Sequence, residues 1–417
     1  MESSQPKNIT HNYLVNVIEA GFWGFGSGMA STSAFLPLFL LKFTDSAMLI
    51  GLIPAIQTIG FQLPQLFMAK KIASQSHVKP LVMKMTIHER LPFLGLALVA
   101  LFSDKLPSTA IIILIYLMLI WQGIGGGFTG NAWQNMVCKM IPSDMRSMFF
   151  SIQGAAVNFL SSIGAFITGI ILEGQPGSFG YFLAFMGSFI AMIVSYVILN
   201  MAREEESVEI LDIDNSPHIL EMAAKILKKD SSFRWFVISR FLLPFGNMAS
   251  GFYIIYVKNN FHADEKTIGL LASVQFVSTV VSGLLLGWLS DHVGRKMAMQ
   301  ISLVVVILSP ILAFFAPSLS FFYIIYALTG IINGAFWSVF LSFTLEFGTN
   351  VERPTYVGLI NTLIAPSTLI AQLFGGWIAD NLNFNITFIL AAIFGLIVFF
   401  ITLVFVKEPK HNMPSLA

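Results

Sequence analysis

Long apolar runs broken by short polar stretches set the pattern of the whole chain. Twelve runs read as spans, at 12–41, 47–70, 81–102, 108–137, 148–172, 180–201, 233–257, 267–289, 297–316, 320–346, 355–379 and 384–406. Each is near or above the roughly 18–20 apolar residues that carry a helix across a bilayer. They predict an all-α membrane protein of twelve transmembrane helices, numbered here as spans 1 to 12. The first run lacks a short hydrophobic core followed by a cleavage-like site, so it reads as an uncleaved span rather than a removable signal peptide.

One connection is long, at 202–232. Its first part, AREEESVEILDID, is acidic. The second, SPHILEMAAKILKKD, predicts an amphipathic helix. Ser216 can cap it with Pro217 in the first turn. Ile219, Ala223, Ile226 and Leu227 share one face, and Glu221 and Lys225 form an i,i+4 pair on the other. Such a helix suits the inner membrane surface, with a regulatory site as the alternative.

The two halves are related. At an offset of 207, Tyr116 aligns with Tyr323, Gly123 with Gly330, Gly127 with Gly334, Arg146 with Arg353 and Gly169 with Gly376. The expected domains are therefore a six-helix bundle over 1–203, a linker over 204–232 and a second bundle over 233–417. Parallel repeats with a site between them are a transporter architecture, used for rocking-type alternating access.

Composition agrees. The chain has 417 residues, 56% of them hydrophobic and 11% charged, with mean hydropathy +0.77. Soluble domains carry about 25% charge. A net charge of +1 gives no reason to expect a nucleic-acid partner, and with Cys138 alone no intramolecular disulfide can form. An even number of spans puts both termini on one face. That face takes most of the 23 Lys and Arg; the opposite face holds Lys42, Lys105, Lys258 and Lys266, while Arg90 and Arg240 fall inside spans. The asymmetry places the termini in the cytoplasm, in a bacterial inner membrane.

A dense polar knot, GWLSDHVGRK, lies between spans 8 and 9 at 287–296. Gly287 lets a neighbouring helix come close, and Gly294 can take a positive φ in the tight turn. Asp291 is suited to accept from amides at another helix N-terminus, span 11 being the natural candidate. Arg295 presents a donor fork to a carboxylate, with Glu346 and Arg353 at the inner end of span 10 as partners.

The knot fits G-x-L-x-D-x-x-G-R-K, and with VKEP after span 12 and LEFGTNVERPTYVGL after span 10 the chain resembles prokaryotic members of the major facilitator superfamily over essentially its full length. The resemblance implies two pseudo-symmetric six-helix bundles, a monomer, a cavity lined by spans 1, 4, 7 and 10, and a cytoplasmic latch built from Gly287, Asp291, Gly294, Arg295, Glu346, Arg353 and Arg146. The N-terminal half departs from it: its loop reads AKKIASQSHVKPL, with no Asp and no Gly-Arg, and Lys139 stands where Glu346 would.

Four ionisable residues fall within spans: Glu19, Glu89, Arg90 and Arg240. Charge there costs several kcal/mol, so such residues face a cavity or a partner. Glu19 is the first candidate for a proton-carrying carboxylate; the alternative is a fixed ion pair, with Arg240 at similar depth as the partner. Glu89 and Arg90 are adjacent, point in different directions and read as snorkelling or pairing at the inner interface. Candidates to line the cavity are Asn16, Gln122, Trp133, Asn247, Tyr253, Asn333, Trp337 and Asn361.

These features point to a secondary transporter of a small organic solute, coupled to protons, among membrane lipids. The alternative is an uncoupled facilitator or lipid translocator. Span 5, SIQGAAVNFLSSIGAFITGIIL, lacks the proline expected of proton antiporters, and NMAREEE and VKEPKH do not fit sugar porters. No P-loop, nucleophile elbow or metal-ligand cluster speaks for an enzyme, ATP drive or a cofactor. The tail after Val406 is short for a signalling extension.

Overall fold

A computed structural model describes residues 8–73, 77–142, 145–204, 226–228, 230–344, 346–347 and 353–407. The described secondary structure is helical throughout. Segment 205–225 lies outside the described residues, and with it most of the expected amphipathic helix.

Among the described residues, eight helices are long and apolar enough to cross a membrane. They are span 3 (Lys79–Phe102), span 4 (Ser108–Met140), span 5 (Arg146–Gly174), span 6 (Ser178–Leu199), span 8 (Glu265–His292), span 9 (Arg295–Phe314), span 10 (from Phe321) and span 12 (Phe384–Val404). Span 2 (Ala47–Ala73) and span 11 (Arg353–Asn381) are long helices beside them.

Three spans expected to be continuous are not. Span 1 runs Ile9–Met29, turns, and resumes as Phe35–Leu40. In the turn, Ser31 Oγ accepts from the Ser33 amide at 3.3 Å, the kind of local bond by which Ser competes with a helix. Span 7 runs Ser231–Gly246, passes through a 3-10 turn at Met248–Gly251, and resumes as Tyr253–Phe261. Ser250 Oγ donates to the Asn247 carbonyl at 2.8 Å there. Span 10 changes from α (Phe321–Ala335) to a π turn (Phe336–Phe340) and back to Leu341–Thr344.

Within the first six spans, span 1 packs on 5 and 6, span 3 on 4 and 6, and span 2 on 4. In the second six, span 12 packs on 7 and 9, span 10 on 8 and 9, and span 11 on 7. The halves meet along two crossings, span 2 with 11 and span 5 with 8. Both crossings need glycine. A Cβ on Gly376 would lie 2.4 Å from Met48 Cα, and one on Gly169 would lie 3.1 Å from Gly269 Cα. Without side chains the backbones come together as small-residue packing in membranes requires.

One turn beyond each glycine stands an acid. Glu173 pairs with Lys266 at 3.2 Å. Asp380 accepts from Ser46 Oγ at 2.7 Å, from the Met48 amide at 3.0 Å and from the Ala47 amide, at the start of span 2. Nearer the middle, Ser273 Oγ donates to the Ser162 carbonyl at 2.8 Å, and Ser33 Oγ to Gln275 Oε1 at 3.2 Å. Among the described residues, every side-chain bond joining the halves lies at the middle or on the side away from the termini.

Replacing Gly376 with valine is expected to pry spans 2 and 11 apart. Ala47 is 1% exposed. With Cys138 changed to serine, an Ala47→Cys probe should react with a maleimide at least severalfold faster once Gly376→Val is added. An unchanged rate would show that the crossing does not depend on that glycine.

Candidate functional site

Helix periodicity turns six polar side chains of span 1 and span 3 inward. On span 1 the buried stripe is Asn12, Val15, Asn16 and Glu19, at helical spacing. On span 3 it is Thr86, Glu89, Arg90 and Phe93. Consecutive residues are only about 100° apart on a helix, and a buried face of that width holds both Glu89 and Arg90. The interfacial reading of this pair is thus corrected: Glu89 is 8% and Arg90 3% exposed.

The three charges form one cluster. Arg90 Nη2 lies 2.9 Å from Glu19 Oε1, and Arg90 Nη1 lies 3.7 Å from Glu89 Oε2. Ser195 Oγ donates to Glu19 at 2.7 Å and accepts from Arg90 at 2.8 Å. Arg90 Nε donates to the Met192 carbonyl at 3.1 Å, and Nη1 also bonds Thr86. Trp23 Nε1 donates to Glu89 Oε1 at 3.1 Å. Spans 1, 3 and 6 thus share one guanidinium. Span 4 closes the site: a Cβ on Gly125 would fall 2.5 Å from the Glu89 amide nitrogen. Two carboxylates face one fixed cation, so one proton makes the cluster neutral and none leaves it with a net negative charge.

Arg240 is not the partner of Glu19. The partner is Arg90, because spans 1 and 3 both pack on span 6 inside the first half while Arg240 lies in the second. Arg240 is 5% exposed, with its Cζ 5.1 Å from the ring centre of Phe336 and 4.8 Å from that of Phe340.

The expected cavity residues do not form one set. Asn16 is fully buried and donates to the Asn12 carbonyl at 2.8 Å. Gln122 is buried and accepts from Gln57 at 3.3 Å. Tyr253 is 2% exposed and bonds Ser309 at 2.9 Å inside the second bundle, so it is a core residue. Trp133 is half-buried edge-on to Phe150. Asn247 ends the first segment of span 7, and Asn333 is exposed on span 10. The side chains of Trp337, Asn361 and Arg353 lie outside those described.

At the face carrying the termini, Arg295 forms an ion pair with Glu346. Gly294 has φ 122°, a conformation only glycine takes without strain. One expectation for the knot is corrected. A Cβ on Gly287 would meet Ser338 only at 3.8 Å, an ordinary contact, so no close approach demands glycine. Asp291 is exposed, and residues 351–352, just before span 11, lie outside the description. Arg146 caps the end of span 4, donating to the carbonyls of Ile141 and Cys138.

The first half has its own pair. Lys139 lies 3.3 Å from Glu204, which is buried and accepts from the amides of Val78 at 2.9 Å and Lys79 at 2.6 Å at the start of span 3. Sequence reasoning missed Glu204, Ser195 and Trp23, which nothing in their local sequence marks. Glu173 and Asp380 were in reach: they stand four residues after Gly169 and Gly376, at the same offset of 207.

Removing the shared cation strands buried carboxylates, which costs about 3–5 kcal/mol. Arg90→Met is expected to lower Tm in detergent by several degrees, and adding Glu19→Gln with Glu89→Gln should recover most of the loss. An Arg90→Met protein as stable as wild type would show that the cluster is not charged as drawn.

The Major Facilitator Superfamily model matches residues 236–417. An uncharacterised MFS-type transporter of Bacillus subtilis (strain 168), YfhI, is 25% identical over 143 residues, a stretch covering 34% of this chain and 36% of the relative, so the match spans about a third of that protein. Nucleoside transporter NupG superposes with TM-score 0.73 at 13% identity, covering 95% of this chain and all of its own. A D-xylose-proton symporter gives 0.71 at 15%, over 97% of this chain and 99% of its own. An inward-facing bacterial homologue of the iron transporter ferroportin gives 0.70 at 13%, over 96% and 99%. At these identities the structures establish the fold alone. Over its C-terminal part the chain matches the Major Facilitator Superfamily model, and over its whole length it has the fold of the transporters it superposes on, with helices apolar enough for an integral membrane protein.

Proposed function

We propose that the protein carries a small organic solute across the membrane by alternating access and couples it to protons held on Glu19 and Glu89 beside Arg90. The observation that carries this reading is the buried cluster of two carboxylates around one guanidinium. Its ion-pair geometry is unequal: Glu19 has the direct contact, while Glu89 is held mainly by Trp23 and lies farther from Arg90. A proton on Glu89 removes the excess charge and keeps the Arg90–Glu19 bond. Arg90 stays charged at any physiological pH, so the proton must reside on a carboxylate.

The moving units are the bundles 1–203 and 233–417, joined by the linker 204–232. The Lys and Arg asymmetry supports placing both termini in the cytoplasm of a bacterial cell, with the protein a monomer among inner-membrane lipids. In that orientation the conformation described is sealed toward the outside, by the two glycine crossings and their acids. Arg295 with Glu346, and Lys139 with Glu204, tie helix ends within each half at the inner face.

A second reading has its own support. Arg90 is bonded through Nε, Nη1 and Nη2, which suits a fixed structural pair in an uncoupled facilitator. Proteoliposomes loaded with a pH-sensitive dye separate the two, using a panel of organic solutes. Wild type is expected to move protons when its solute is added, and Glu89→Gln should abolish that proton movement while solute exchange continues. Proton movement that survives Glu89→Gln and Glu19→Gln, singly and together, would rule out the cluster as carrier.

A further inference from the structure

The second bundle buries a cation whose charge nothing among the described residues meets. Arg240 lies on the stripe Phe233, Phe236, Val237, Arg240 and Leu243, which enters the core shared with Phe340 and Phe343. Among the described residues no carboxylate pairs with it and no hydrogen bond leaves its guanidinium; Nε is sealed from solvent without an acceptor. Among the described residues, the acids of the region are engaged or at the surface. Asp230 caps span 7 at the Phe233 amide, Glu346 pairs with Arg295, and Asp291 is exposed.

The two ring faces offset only part of the cost of burying an unpaired charge at membrane depth, and arginine cannot discharge it by losing its proton. Arg90, in the other half, shows the usual solution, with partners on every nitrogen. Arg240 has the opposite arrangement: charge held rigid between rings, with its hydrogen-bonding edge unused. It sits about 14 Å along the helix from Ser231, in the half of the span nearer the face with the termini.

The helices around it are irregular at the same level. Phe336 and Phe340 are the first and last residues of the π turn in span 10, and span 7 breaks about two turns beyond Arg240. Single π turns and interrupted helices recur at binding sites in membrane carriers.

The chemistry of the missing partner follows. A guanidinium edge matches a carboxylate with two parallel N–H···O bonds. A single negative charge neutralises Arg240, whereas a doubly charged phosphate ester would leave excess charge in the core. The flanking phenyl rings offer an apolar wall for an organic body.

We propose that Arg240, backed by Phe336 and Phe340, binds the carboxylate of an organic monocarboxylate, and that this anion is the transported solute. The solute class deepens the proton-coupled reading and rests on it in one respect: with one proton on Glu19 or Glu89 and one monocarboxylate on Arg240, both bundles are neutral when loaded. Proton and anion then cross together without moving net charge.

Binding is tested on the full chain in detergent at fixed pH, by calorimetry and by the ligand-dependent rise in Tm. The probes are benzoate, isobutyrate and benzamide, the last being the neutral counterpart of benzoate. At least one carboxylate is expected to bind, with benzamide at least tenfold weaker than benzoate. Arg240→Gln should weaken carboxylate binding at least tenfold, Arg240→Lys less so, and Phe340→Leu severalfold. Benzamide binding as well as benzoate, no carboxylate binding to wild type, or Arg240→Gln binding like wild type would each overturn the site. Should Arg240→Gln not fold, the acid–amide comparison on wild type and the Phe340→Leu variant still decide. Fixed-pH binding involves no proton transport. Carboxylate binding with no proton movement in liposomes would therefore overturn the coupling and leave the anion site standing.

Discussion

Charge buried at membrane depth must be met by opposite charge, and the interior of this protein is organised around that demand. The first bundle answers it within itself. Spans 1, 3 and 6 each turn a polar stripe inward, and a single guanidinium from span 3 is held by a carboxylate, a hydroxyl and a backbone carbonyl from the other two. Span 4 can lie against this arrangement because Gly125 leaves room for the Glu89 backbone. The second bundle has the same helical plan with the opposite sign at its centre, and its cation is framed by aromatic rings instead of acids. The two repeats therefore share a backbone and differ in the electrostatic problem each poses.

The halves meet through close backbone approaches reinforced by a few side-chain bonds and a shared apolar core. At both crossings a glycine removes the side chain that would hold the helices apart, and the acid one turn later binds across the gap. At the face with the termini the two repeats diverge. Arg295 meets Glu346 in one, and Lys139 meets Glu204 in the other, with acid and base exchanged at the end of the repeat-equivalent helix. Asp291 stands exposed at that face, while Glu204 closes the start of span 3.

The apolar runs located the spans, and the offset of 207 located the repeat, because both depend on periodicity that survives in a linear reading. The site was legible only in its components. Glu19, Glu89, Arg90 and Arg240 stood out as charges in apolar runs, but their partners depend on which helices cross, and adjacent residues on a wide buried face were assigned to different surroundings. The breaks in spans 1 and 7 arise at short Ser, Asn and Gly stretches that hydropathy averages away. Tyr253 was read as a cavity residue because its hydroxyl partner, Ser309, lies on a helix 56 residues downstream.

The two crossings tolerate change differently. Glu173 and Lys266 recognise each other through their side chains, so altering either residue removes the contact. Asp380 reads the amides of Ala47 and Met48, which belong to every residue except proline. One side of that crossing is thus written in the main chain. Replacement at 47 and 48 keeps these amide bonds so long as proline is avoided, burial confines position 47 to small residues, and the side-chain identity of the contact rests on Asp380 and Ser46.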